Sequence, residues 1–381
     1  MAASRARARR SAAKTSRRSA AKRDGVVAML RERILRGELA PGGRLPTRRQ
    51  LIGQLRVAPV TLQLAFDKLR LDGFVTTRGR AGTFVAAHPP SLHCFALVFP
   101  CSPSSESWSL FYTSLIDAAR AIEEGSPTRF RHHYDVRPPV DGEPCRALLA
   151  DMAAGRLAGI VFCQHPYELI GTPLLADDGL PRVAVMSEPN SQFPHVPAVY
   201  PDIRSFIDRA LEFLAGRGRR RAAMMTLPHS RDEWLPYLAE AARRLGIETR
   251  PRWVHGVPHD DPTWASNTVQ LLLAPEQPDR PDALIVADEH ILPHAAVGLV
   301  AAGARAPEDI EVVVHANFPT RQQVAIPVTR IGFESRQILE ICLKRLAEIR
   351  RGARARPKTS VAARLEGERG PSPAIREEAK R

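Results

Sequence analysis

Cysteine is scarce in this sequence and poorly spaced for chemistry. There are five in 381 residues, none in a C-x-x-C pair, which argues against a disulfide framework or a zinc finger. They read as buried thiols in a reducing compartment. Long apolar runs are missing as well. None reaches the roughly 18–20 residues of a membrane helix. The basic N-terminus is followed by no apolar stretch, so a secretory signal is not expected. Lysine is absent between Lys68 and Lys344, so that stretch cannot hold pyridoxal phosphate as a Schiff base. No P-loop, G-x-S-x-G or H-E-x-x-H is present. No catalytic residue, metal site or cofactor is assigned, and an enzyme is not expected.

What is present is an ordinary globular composition with an uneven charge. Apolar residues make up 44% and charged residues 25%, enough for a soluble core. The length leaves room for two or three domains. The net charge is +14, but its placement carries the information. Residues 1–23 hold nine Lys or Arg and no acid, and residues 24–87 hold eleven basic and five acidic residues. Residues 88–350 hold 26 basic and 32 acidic residues, and residues 351–381 hold nine and four. A small basic module thus sits on a mildly acidic body, which predicts a polyanion partner for the module alone. The tails, 1–23 and 351–381, have little to bury and are expected to be disordered. The first tail either adds nonspecific affinity through counterion release or is simply solvated.

Residues 24–87 read as one unit. Val27, Leu30 and Ile34 share one helical face, and Gly37, Pro41, Gly42 and Gly43 end that helix. Thr47 with Gln50 forms a capping box ahead of a short helix with Leu51, Ile52 and Leu55 inward. A third helix is expected over about 59–72, with Leu62, Ala65, Phe66 and Leu69 inward. Residues 74–77 and 83–85 then form a hairpin around a basic, Gly-containing tip. Three helices and a hairpin make a winged helix-turn-helix, whose second motif helix places its N-terminal part in the major groove of DNA. Thr61 and Gln63 are the polar candidates for base contacts, Gln pairing with adenine and Thr meeting a base or a thymine methyl. Arg48 and Arg49 suit phosphates, and Arg78, Arg80 and Gly82 form the wing tip. Each arginine alone is equally a solvated charge.

Residues 34–85 resemble the GntR-family winged helix. The resemblance rests on Ile34-Leu35-Arg36-Gly37, on Pro41-Gly42-x-Arg44-Leu45-Pro46-Thr47, on Val57, Thr61, Ala65 and Leu69 at intervals of four, and on Gly73-Phe74-Val75 with Gly82-Thr83-Phe84-Val85. The family usually has Ser-Arg before the recognition helix, and this chain has Ala58-Pro59. The resemblance therefore implies an operator that departs from the family's usual preference. Pro59 suits the first helical turn.

Residues 88–93 form a Pro-containing linker. Beyond it, 94–350 alternate strand and helix patterns, which argue an α/β fold with parallel sheets covered on both faces. Strands are expected at 95–99, 159–163, 182–186, 222–226, 283–287 and 310–315. Helices are expected at 109–123, 144–154, 202–216, 232–245, 290–303 and 334–350. Phe95–Phe99 followed by Phe111 and the helix over 109–123, Leu157-x-Gly159-Ile160-Val161, Asp202 with Ala210-x-x-Phe213-Leu214-x-x-x-Gly218-Arg219-Arg220-x-Ala222, and Pro281–Asp288 through Pro307–Val313 resemble the two-lobed, periplasmic-binding-protein-like (type I) domain of lactose-repressor-type regulators. Together with the winged helix this resembles the arabinose-repressor arrangement.

That resemblance implies a small ligand, a sugar or related polar metabolite, between the lobes at the carboxyl ends of the strands. Hinge closure would move the attached DNA modules. It also implies a cytoplasmic, nucleoid-associated homodimeric repressor on a double-stranded, pseudo-palindromic operator. Candidate ligand residues are Trp108 and Phe111 after the first strand, Asp202 at the crossover, Arg231 before a second-lobe helix, and Asp288 after the late strand. Asn317 joins them, within the Ala316-Asn317 that stands where the family usually carries an Asp pair. Trp108 and Phe111 are equally readable as core, and Asp202 as a helix cap. His290 and His294 read as structural and His132-His133 as a loop. Two alternatives stay open: a constitutive DNA binder with a non-functional cleft, and an enzyme with an accessory winged helix.

Overall fold

The computed structural model describes residues 20–186, 196–258, 261, 263–353 and 357–368. The first nineteen residues and the last thirteen, parts of the two expected tails, lie outside them. The described part of helix α1 covers 20–35, so it reaches four residues ahead of the unit expected at 24–87, and it buries Val26, Val27, Leu30 and Ile34. Helix α2 (Arg48–Leu55) begins at the expected capping box: the Gln50 amide donates to Thr47 Oγ1 at 3.3 Å, and the Thr47 amide to Gln50 Oε1 at 2.8 Å. Arg56, at φ 48°, turns the chain into α3 (Pro59–Leu71), whose Leu62, Ala65, Phe66 and Leu69 complete this small core. Strands β1 (Val75–Thr77) and β2 (Thr83–Val85) pair antiparallel, Thr76 opposite Phe84. The expected linker carries a one-turn helix, α4 (Pro90–His93), and Arg350 Nη1 donates to the Leu92 carbonyl at 3.3 Å.

Two six-stranded sheets follow. The first lobe contains β3 (Cys94–Val98), α5 (Leu110–Gly125), β4 (Arg129–His133), α6 (Glu143–Ala153), β5 (Gly159–Phe162), β6 (Arg182–Val185) and β7 (Ala198–Asp202). The second contains α7 (Ile203–Gly216), β8 (Ala222–Thr226), α8 (Pro228–Arg244), β9 (Val254–Gly256), α9 (Thr263–Leu273), β10 (Ala283–Val286), α10 (Leu292–Ala301), β11 (Glu311–Phe318) and β12 (Thr329–Glu334). Helix α11 (Ser335–Arg350) returns to pack on the first lobe, and β13 (Lys358–Ala362) and β14 (Arg364–Leu365) close the chain. The sheet orders are β13-β7-β6-β5-β3-β4 and β14-β12-β11-β10-β8-β9. Among the described residues, the strand pairings within these two sheets are parallel except β12 with β14. Strands β3, β5, β6, β8 and β10 are buried throughout, as a sheet covered on both faces requires.

Two expectations are corrected. His132 and His133 are not loop residues but end the edge strand β4, whose charged side chains suit an edge. Residues 357–368 of the expected C-terminal tail are ordered into sheet: β13 lies parallel to β7 in the first lobe and β14 against β12 in the second. Thr359, Ser360 and Val361 are buried there. Among the described residues the backbone crosses between lobes three times, at 202–203, 334–335 and 362–364.

Candidate functional site

The winged helix presents a basic rim. Arg48 and Arg49 open α2, both exposed, and Arg48 Cζ lies 5.7 Å from the Phe66 ring centre. Arg78 lies over Phe84 at 4.8 Å, and Arg80 sits in the turn between β1 and β2. Gly82 has φ 106°, and a Cβ there would come within 3.0 Å of Arg44 Nε. The backbone conformation at that φ is what calls for glycine, and it lies beside Arg44, an exposed cation absent from the expected contact set. The Leu45 amide donates to the Thr83 carbonyl at 2.9 Å, so the Arg44 segment is stitched to the hairpin.

Two expected base contacts are placed differently from each other. Gln63 is half-buried on the outer part of α3, with Nε2 at 3.0 Å from both Asp67 carboxylate oxygens. Thr61 is 6% exposed and turned into the module's interior, which removes it from the groove face. The helical pattern could have shown this, because Thr61 lies next to Leu62 and one turn from Ala65.

Asp72, just beyond α3, joins this module to the first lobe. Its side chain is fully buried and bonds Arg31 of α1, with Lys68 Nζ 3.6 Å away. Arg156, in the loop after α6, donates to Asp72 Oδ1 through Nε at 2.9 Å and Nη2 at 2.7 Å. The same guanidinium reaches Asp151 Oδ1 at 3.0 Å, where Arg131 of β4 also binds. A buried carboxylate with several cationic donors has its lone pairs satisfied.

The lobes face each other across the carboxyl ends of their strands. Trp108, in the loop after β3, donates Nε1 to Thr113 Oγ1 at 2.9 Å and packs edge-on to Tyr112 at 5.2 Å. Phe111 is half-buried against the same core. Tyr112 donates to Gln164 Oε1 at 2.6 Å, beyond the end of β5. Nearby, an open recess within the first lobe is lined by Val98, Pro100, Val136, Phe162, Gln164 and His165 among others. From the second lobe, Asp288 accepts from the His290 amide at 2.9 Å and lies 3.0 Å from His290 Nδ1. His290 also hydrogen-bonds the Trp108 backbone across the cleft. Burial would lower the His290 pKa, but the bond and charge of Asp288, the charge of Glu289 and that backbone bond leave it raised.

Asn317 stands near the end of β11. Its Nδ2 donates at 2.7 Å to Oε1 of Glu289, a residue not among the expected candidates and only 4% exposed. Burial pushes the Glu289 carboxyl up to about 7, against the Asn317 hydrogen bond and with the help of the Asp288 charge. The Asn317 carbonyl accepts from Ser114 of α5 at 3.0 Å, and Ser114 also meets Ser335 at 2.7 Å. Trp108, Asp288 and Asn317 are thus brought to one interlobe junction, and Gln164 and Glu289 join them. Glu289 follows Asp288 in the sequence and could have been found by extending the strand-end reading one residue.

Asp202 and Arg231 stand elsewhere. Asp202 caps α7, accepting from the Ser205 amide at 3.2 Å at a lobe crossing. Ser205 Oγ accepts from the Ala363 amide at 2.8 Å, tying two crossings together. Arg231 lies inside α8, not before it. Its Nε donates to the Val254 carbonyl at 2.8 Å, clasping β9. Among the described residues, no group of three or more His, Cys, Asp or Glu is placed to hold a metal. No described helix is long and apolar enough to cross a membrane.

Comparison with known proteins agrees with this two-part layout. Residues 22–85 match the gntR family of bacterial regulatory proteins, and residues 211–366 match the periplasmic binding protein-like domain. Over 55 residues the chain is 49% identical to the HTH-type transcriptional regulator Rv1152 of Mycobacterium tuberculosis, covering 14% of this chain and 46% of that one. The matched segment spans less than half the length of the curated relatives. Solved structures extend the likeness in fold alone. A LacI transcriptional regulator from a Rhodococcus species superposes with TM-score 0.54 at 20% identity, covering 72% of this chain and 96% of that one. A periplasmic binding ribose operon repressor protein from Lactobacillus acidophilus gives 0.53 at 12%, covering 71% and 96%.

Proposed function

We propose that this chain, which joins a GntR-type DNA-binding domain to a periplasmic-binding-protein-like domain, is a transcription regulator whose operator affinity is switched by a small polar ligand between the lobes. One observation carries the reading. The carboxylate at the end of the recognition helix is held directly by the first lobe, through Arg156. A rigid-body turn of that lobe about the three crossings therefore carries the winged helix with it. Ligand closing or opening the cleft would act on DNA in this way, and repression follows when the bound operator blocks transcription.

The ligand class is a donor-rich polar metabolite such as a sugar. Asp288 and Gln164 offer oxygen acceptors beside aromatic Trp108, and Glu289, buried behind Asn317, supplies the carboxyl that Asn317 lacks. The ribose operon repressor among the fold relatives supports that choice. We assign the protein to the cytoplasm, on the nucleoid, and as a homodimer on a two-half-site operator. Trp264 and Leu271 on α9 and Val297 and Val300 on α10 are exposed apolar side chains that a second copy would cover. Light scattering in solution tests the dimer.

A second reading, a constitutive DNA binder with a closed cleft, is favoured by one feature. Asn317 already donates its side-chain amide to Glu289, and its main-chain carbonyl already accepts from Ser114. A thermal-shift screen with sugars and polyols, followed by DNA titration with each hit, separates the two. A compound that stabilises the protein and changes DNA affinity supports the switch. No stabilisation by any compound supports the closed cleft.

A further inference from the structure

The outward face of the recognition helix is apolar where a surface helix is ordinarily polar. Val60 and Leu64, one turn apart, are 68% and 45% exposed. They stand opposite the buried line of Leu62, Ala65, Phe66 and Leu69. Ala58 and Pro59 precede them without a side-chain donor, and Thr61 is turned inward. The one polar side chain left on these two turns, Gln63, has its amide nitrogen engaged by Asp67, which leaves Oε1 as its outward acceptor.

The charge around this stripe fixes what covers it. Arg48 and Arg49 are exposed on the flanking helix, Arg78 and Arg80 on the wing, and Arg44 on the segment that bridges to Phe84 of the wing. A basic rim around an exposed helix matches the phosphates on either side of a major groove. Within that groove the only apolar feature of a base edge is the C5-methyl of thymine.

We propose that Val60 and Leu64 read thymine methyl groups, so that each half-site is specified by T·A pairs beneath the first two turns of α3. Gln63 Oε1 accepts from the exocyclic amino group of a neighbouring adenine or cytosine. This rests on the DNA-binding reading above and gives it a sequence preference. Any other base opposite Val60 or Leu64 strips water from a polar edge and returns no contact.

The test begins by selecting binding sites from a random duplex pool with the full chain. Each thymine of the selected half-site is then replaced by deoxyuridine, which removes the methyl and keeps the pairing. Wild-type protein is expected to bind about fourfold more weakly for each contacted methyl removed, the effect of exposing one buried methyl-sized group. The V60A/L64A variant is expected to bind thymine and uracil duplexes alike. Both side chains are exposed, and thermal melts would check that the variant is folded. Selected sites without thymine under α3, or equal wild-type affinity for thymine and uracil, would overturn the proposal. Failure to enrich any sequence would overturn the operator-reading function itself and this inference with it.

Discussion

Replacing Glu289 with Gln probes the interlobe junction by removing a charge while keeping its shape. Gln retains an oxygen for Asn317 Nδ2, the 2.7 Å donor to Glu289. The carboxyl's pKa rises from 4.5 to about 7 on burial. Between those values the folded protein binds more protons than the unfolded chain, so this group's contribution to stability falls as pH rises through the window. At about 1.4 kcal/mol per pH unit, the wild type loses about 3 kcal/mol at pH 8 and under about 1 kcal/mol at pH 5. Gln has no such dependence and loses about 1 kcal/mol at both pH values for burying its new amide. His315 acts in the opposite sense. Burial lowers its pKa to about 4, so its contribution is lost on acidification below about 6.5. Comparing E289Q with the wild type cancels that term. Urea denaturation followed by tryptophan fluorescence should show E289Q more stable by about 2 kcal/mol at pH 8 and no more stable at pH 5. A difference that does not change between the two pH values would refute the reasoning.

Other perturbations follow from the same geometry. R156Q leaves Asp72 to Arg31 and Lys68 but cuts the bridge to Asp151. Hydrogen exchange at 72–74 and 154–156 should rise together, about tenfold for the roughly 1.4 kcal/mol expected of such a bond, and wild-type rates at 72–74 would count against the bridge. Q63A should relax specificity at one base pair at a cost of about 1–3 kcal/mol, whereas uniform weakening across all sequences would rule out a base contact. G82A must place an L residue at φ 106°, with its Cβ against Arg44. The wing should lose about 1–3 kcal/mol of local stability and DNA affinity should fall with it; unchanged hairpin exchange would show the wing tolerates the strain.

The parts most legible in the sequence were those set by local chemistry. The Thr47–Gln50 box, the Gly-rich turns and the repeating apolar face of α3 mark the winged helix without reference to distant residues. Buried strands β3, β5, β8 and β10 stand out as apolar runs. Strands that rely on partners did not stand out. Residues 129–133 are mostly charged or His and become a strand only because β3 lends an edge. Residues 358–365 look like a polar tail and are held by β7 and β12, which are distant in sequence. The same limit applies to the candidate site. Asp288 stands out by its place after an apolar run, but Glu289 has its hydrogen-bond partner in Asn317, 28 residues later. Asp202 and Arg231 are legible only as positions near strand ends, and their partners, Ser205 and the β9 backbone, are set by the fold.

The central claim is that the cleft and the recognition helix are coupled. Its most direct test is the dissociation constant of the full chain for a selected operator, measured by fluorescence anisotropy with and without a compound that stabilises the protein thermally. A change of at least about tenfold is expected, the coupling of roughly 1.4 kcal/mol typical of such switches. The change should shrink in R156Q, while the compound still binds. A compound that binds the cleft and leaves operator affinity unchanged in the wild type would contradict it.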